Sequence, residues 1–123
     1  MNSILFLEED HALRTVFSEV LRNEGFFVLQ AADLAEAIAA CETYPKPIAV
    51  AIVDTSSGMS AAQRVLELYP SCHVLFIGDP ESHRRIAHAP TLRLGWLEKP
   101  FTSEALIRAV RSLLPAGATH AGK

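Results

Sequence analysis

Acidic side chains gather at three points of this 123-residue chain, and a lysine joins them at the third. Glu8-Glu9-Asp10 follows the apolar run Ile4–Leu7, Asp54 follows Ile48–Val53, and Glu98-Lys99-Pro100-Phe101 follows Leu94–Leu97. Carboxylates brought together repel, and a hard divalent cation such as Mg²⁺, bound through oxygens, is the usual counter-charge. A solvated rim of charges is the plain alternative at this point. Other chemistries find less support. His11, His73, His83, His88 and His120 show neither HxxxH nor HExxH spacing, so a zinc site is not expected, and His83 and His88 are assigned to the surface of a short helix. There is no GxSxG elbow and no GxxxxGK[ST] loop, which argues against a serine hydrolase and a P-loop nucleotide site.

The elements that would position these acids alternate along the chain. Five runs, Ile4–Leu7, Phe26–Leu29, Ile48–Val53, Val74–Ile77 and Leu94–Leu97, are short and continuously apolar, as parallel strands covered on both faces are. Helical spacing lies between them. Leu13, Val16, Phe17, Val20 and Leu21 keep one face before the stop signal Gly25. Asp33 and Glu36 form a capping-box pattern ahead of Leu34, Ala37, Ile38 and Cys41. Ala62, Val65, Leu66 and Tyr69 mark a short helix ended by Pro70, after a polar loop Thr55–Met59. Asp79-Pro80 predicts a cap and a first helical position for a helix that stops before Pro90. Thr102 and Glu104 open the last helix, with Leu106, Val110 and Leu113 buried. The string is (βα)5: an α/β domain over residues 1–114 with a frayed tail at 115–123. In such open parallel sheets ligands bind beyond the carboxyl ends of the strands, where the three acidic points fall.

Composition narrows the function. Half the residues are apolar and the net charge is −3, which gives no general affinity for nucleic-acid backbones. No apolar run approaches the roughly 18 residues of a membrane span, and MNSILFLEED lacks a basic leader region. Cys41 and Cys72 are expected as reduced, buried thiols of a cytoplasmic protein. Arg84, Arg85, Arg93, Arg108 and Arg111 would lie on the last two helices, as a solvated surface or a partner-facing one.

From Ile4 to about Leu114 the chain resembles the receiver domain of two-component response regulators, the CheY-like domains. The resemblance rests on the acidic pair Glu8-Glu9 with Arg14 beyond it, Asp54 at the third strand's end, and Lys99-Pro100-Phe101 after the fifth. It implies a flavodoxin-like sheet in the order 2-1-3-4-5. It further implies that Asp54 accepts a phosphoryl group from a phosphohistidine, and that Glu8, Glu9, Asp54 and the Ser56 backbone carbonyl hold Mg²⁺. Lys99 would contact the phosphoryl oxygens, with a cis peptide bond to Pro100. A carboxylate attacking a phosphoryl group meets like charge, so a divalent ion and an ammonium are the chemically apt helpers.

Three positions depart from the family pattern. Glu9 stands where Asp is usual, so weakened Mg²⁺ binding is expected, unless Asp10 assists. Gly78 stands at the end of the fourth strand, where Thr or Ser is usual, and neighbouring Asp79 is expected to turn away and cap a helix. Trp96 takes the aromatic switch position and is bulky for an inward movement. The expected protein is a stand-alone or excised receiver, not an enzyme. It would be phosphorylated by a histidine kinase or phosphotransfer protein and would act through contact with a protein target, a homodimer being among the assemblies allowed. The alternative is a pseudo-receiver, an interaction or dimerisation module that works without phosphorylation. A flavodoxin-like enzyme of metal-assisted hydrolysis is a third reading.

Overall fold

The computed structural model describes residues 1–86 and 94–114; the expected helix stop before Pro90, Arg93, His88, His120 and the tail at 115–123 lie outside the described residues. The continuously apolar runs are strands with no solvated face. β1 (Ser3–Leu7) and β3 (Val50–Asp54) are buried at every position, and β4 (His73–Gly78) at all but its first. With β2 (Phe27–Ala31) and β5 (Leu94–Glu98) they form one parallel sheet in the order β2-β1-β3-β4-β5. This is the expected order, with β1 at the point where the chain reverses direction across the sheet.

The helices close both faces. α2 (Leu34–Glu42) and α3 (Gly58–Leu68) bring Ala37, Cys41, Ala61, Ala62 and Val65 against Leu5, Leu7, Val53 and Phe76. On the other face α1 (His11–Asn23) and α5 (Ser103–Ser112) bring Leu21, Leu106 and Val110 against Ile4, Phe6, Ile52, Leu75 and Ile77. α4 (Pro80–Ile86) follows β4. Alternate residues of one strand thus feed opposite cores, which is the period-2 geometry of a strand buried on both sides.

Local signals set most helix starts. The Asp33 carboxylate accepts from Glu36 N–H at 2.9 Å, while the Glu36 carboxylate accepts from Ala32 N–H at 2.9 Å. Thr102 accepts from Ala105 N–H at 3.1 Å. Asp79 accepts from Ser82 N–H at 2.7 Å, so it does turn to cap α4 as expected. Gly25 takes φ 96° at the end of α1, a conformation that side chains resist. Two boundaries differ from expectation. Residues 55–59 are not an open loop: a 3₁₀ turn (Thr55–Ser57) runs directly into α3, whose start at Gly58 lies four residues before Ala62. Phe26 and Ile48 are buried just before their strands, because their apolar runs continue into the approach segments that pack on the core. Cys41 and Cys72 are buried free thiols, as composition predicted.

Leu106 is the fully buried anchor of α5. Leu106→Ala should therefore lower the unfolding free energy by about 2–5 kcal/mol in urea titration, and an unchanged midpoint would show that α5 contributes little to the core.

Candidate functional site

Register puts two of the acids side by side. β1 and β3 pair with Leu7 opposite Val53, so the next residues, Glu8 and Asp54, emerge together at the carboxyl edge. Both continue the sheet face that Phe6 and Ile52 occupy, and both are buried, with 1% and 5% of their surface exposed. Lys99 arrives from the far side. Its backbone N–H donates to the Gly78 carbonyl at 2.8 Å, and its peptide bond to Pro100 is cis, as the resemblance implied. From there its ammonium donates to Glu8 Oε1 at 2.7 Å and to Asp54 Oδ2 at 3.1 Å.

Backbone donors hold the remaining oxygens. Asp10 N–H donates to Glu8 Oε2 at 3.0 Å, and Ser56 N–H donates to Asp54 Oδ1 at 3.1 Å. Arg14 steadies the acidic loop from α1, with Nη1 donating to the Glu8 carbonyl at 2.5 Å and Nη2 3.1 Å from His11 Nδ1.

One ammonium cannot balance two buried carboxylates, and the pair divides the burden. Burial, then the hydrogen bond with Asp54, pushes the Glu8 carboxyl above its usual range against the pull of Lys99. Burial acts the same way on Asp54. There the hydrogen bonds from Glu8, Ser56 N–H and Lys99 outweigh it, and its carboxyl falls below the usual range. Burial disfavours the Lys99 charge, but the two carboxylates raise its affinity for the proton overall. The two acids titrate as a coupled pair in which Glu8 is the weaker acid and Asp54 the stronger.

The other acids do not join them. Glu9 is exposed, and so is Glu98. Asp10 caps α1, its Oδ1 accepting from Leu13 N–H at 3.1 Å, so the assistance to a metal considered for it gives way to a capping role. The D-x-x-L pattern before an apolar stripe was the available sign of that cap. Among the described residues no three His, Cys, Asp or Glu side chains converge on one point. That still suits Mg²⁺, which takes one or two carboxylates and keeps waters or phosphate oxygens for the rest. Two carboxylates close enough to share a proton are close enough to share a cation, so the donor set fits.

On the opposite sheet face Trp96 is wedged between two rings. Its indole stacks on Phe76 with centroids 5.2 Å apart and on His83 at 4.1 Å. His83 is thus half-buried over the indole instead of lying free on α4, a contact that spacing along the chain gives no way to foresee. Gly78 closes β4 with Thr55 against it. Of the arginines, Arg84 and Arg108 are exposed, while Arg111 donates to Glu24 at 2.8 Å and so ties α5 to the end of α1.

Neither family models nor curated protein sequences provide a match. Solved structures do. A response regulator receiver protein from Sinorhizobium medicae superimposes with a TM-score of 0.79 at 28% identity, over 94% of this chain and 95% of that one. The receiver domain of the hybrid histidine kinase CckA gives a TM-score of 0.70 at 26% identity, over 93% and 100%. This chain has the fold of a receiver domain. The chemotaxis protein CheY4 of Vibrio cholerae shares the receiver fold, with a TM-score of 0.77 at 24% identity over 93% and 99%. A receiver fold points to two-component signalling, and no described helix is long and apolar enough to cross a membrane.

The pair's electrostatics can be read in stability. Because folding raises the Glu8 pKa, its share of stability is full at acid pH and is lost as pH rises through the folded value. Asp54, lowered, works in the opposite sense and loses its share only at strongly acid pH. In metal-free buffer, Glu8→Gln should therefore gain urea resistance relative to wild type as pH goes from about 4 to about 8. A difference that stays constant across that range would contradict the raised Glu8 value.

Proposed function

We propose that this receiver accepts a phosphoryl group on Asp54 from the phosphohistidine of a histidine kinase or phosphotransfer protein, and passes the signal on by contact with a protein target. The observation that carries the reading is the Asp54 carboxylate itself, kept ionised at the sheet edge with the Lys99 ammonium 3.1 Å away. An ionised oxygen is what an attack on phosphorus requires. The Asp54 oxygen forms the new P–O bond while the P–N bond to the donor imidazole breaks, and the imidazole leaves with the electron pair. The charge on the equatorial oxygens then falls where Lys99 can reach it.

Glu8 contributes a second carboxyl beside Asp54, bonded to the same Lys99 ammonium at 2.7 Å. Ser56 N–H holds Oδ1 and so orients the carboxylate. Glu8, Asp54 and the Ser56 carbonyl would hold Mg²⁺, with Glu9 as the exposed fourth donor, and the ion when bound supplies charge neutralisation between carboxylate and phosphoryl oxygens. Glu9 must turn in from solvent to take part, so weak Mg²⁺ affinity belongs to the same reading. The likeness to receiver proteins supports the assignment of partners by class, kinase or phosphotransfer protein on one side and a protein target on the other. This is a module that is modified once per signal, not an enzyme that turns over a substrate.

Intact mass after incubation with Mg²⁺ and a small acyl phosphate tests the reading directly. Wild type should gain one phosphoryl group, Asp54→Ala none, and Lys99→Ala should still gain it while losing the accompanying change in Trp96 fluorescence. A folded wild type that takes no adduct would leave a pseudo-receiver that works as a constitutive interaction module.

A further inference from the structure

Gly78 is small for a reason that lies on the neighbouring strand. Its backbone is not in the left-handed region that favours glycine; among the described residues Gly25 alone is. What forbids a side chain there is Thr55. A Cβ on residue 78 would overlap Thr55 Oγ1 and lie 2.8 Å from its Cγ2 and 3.0 Å from its Cβ. The contact follows from register: Asp54 pairs with Ile77, so the next two residues, Thr55 and Gly78, stand side by side at the carboxyl edge. The Thr55 side chain occupies the space a side chain on residue 78 would take, and its hydroxyl lies too close to that residue's Cβ position for both to fit. No hydrogen bond within the described residues engages this hydroxyl.

We propose that the Thr55 hydroxyl is the hydrogen-bond donor that binds the phosphoryl group on Asp54, and that Gly78 is the space admitting it from β3 instead of β4. The inference rests on Asp54 being the acceptor. Thr55 follows Asp54 directly, and Lys99 already donates to Asp54 Oδ2 and to Glu8 Oε1. A hydroxyl has one O–H to donate, and its hydrogen rotates freely about Cβ–Oγ, so it can be aimed at an oxygen brought to this edge of the sheet. No proton is transferred: the O–H stays intact and supplies a charge-assisted hydrogen bond while the Asp54 oxygen displaces the donor's leaving group. The same placement gives Thr55 a second consequence. Phe76 and Gly78 lie on one face of β4, the face on which Trp96 stacks, so the hydroxyl against Gly78 shares a sheet face with the aromatic ring that would report its state.

The experiment compares phosphoryl adduct formation from acetyl phosphate with Mg²⁺, followed by intact mass, in four proteins. Thr55→Val keeps the side-chain shape against Gly78 and removes the donor; it should form the adduct about tenfold more slowly than wild type with an unchanged melting temperature. Thr55→Ser, which keeps the hydroxyl, should stay within about twofold of wild type. The exchange T55A/G78S, which returns a hydroxyl from the β4 side, should recover most of the rate lost in Thr55→Val. Should that double variant fail to fold, the Val and Ser pair decides the question alone. A Thr55→Val rate equal to wild type overturns the Thr55 role and leaves the acceptor reading standing. A wild type that takes no adduct while folded removes both.

Discussion

Two carboxylates lie side by side at the carboxyl edge of this sheet because β1 and β3 are neighbours in register, and the Lys99 ammonium is what allows them to be buried there. Its reach imposes conditions on the rest of the fold. Lys99 must leave β5 directly, and β5 must lie on the same side of β1 as β3 and β4, or the ammonium would fall beyond the acids' reach. Lys99 N–H on the Gly78 carbonyl anchors the start of that reach, and Arg14 on the Glu8 carbonyl anchors its end. A single cation between two acids also leaves a surplus charge, which shows in the pair as a raised Glu8 pKa beside a lowered Asp54 one. That surplus is what a further cation would offset, while the hydrogen bonds with Glu8, Ser56 N–H and Lys99 keep Asp54 ionised.

The two faces of the sheet divide the labour. Glu8 and Asp54 continue the α1–α5 face, so the charges stand over a core closed by Leu106 and Val110. Thr55, Gly78 and Trp96 belong to the other face, where His83 from α4 covers the indole. Trp96 is clamped between Phe76 and His83, so an inward swing of the ring would break both stacks. A response to events at Asp54 is more economically carried by small groups near the edge than by that ring. The exchange of a side chain between β3 and β4, with Thr55 filling and Gly78 vacating, fits the same pattern. In this chain the polar group near the acceptor comes from the acceptor's own strand.

Much of this was legible beforehand because it is local. The caps Asp33, Asp79 and Thr102 act on amides three residues away, and the apolar runs need no partner to be recognised. Where sequence reasoning was incomplete, the cause was a competing local role or a contact across strands. Asp10 stood in an acidic triplet and could be counted toward a metal, yet it caps α1. The polar stretch after Asp54 looked like a loop, yet its small hydroxyl residues start a helix.

By itself the sequence determined the alternation of elements, the two-sided burial of the strands, and the candidacy of Glu8, Asp54 and Lys99 as residues at strand ends. Those properties depend on composition and spacing within a few residues. Only the tertiary structure decided that Glu8 and not Glu9 shares the Lys99 ammonium with Asp54, that Thr55 fills the space over Gly78, and that His83 lies on Trp96. Each of these is set by the register of one strand against another or by the seat of a helix on the sheet. Such relations join residues far apart in the chain, and no periodicity along it encodes them.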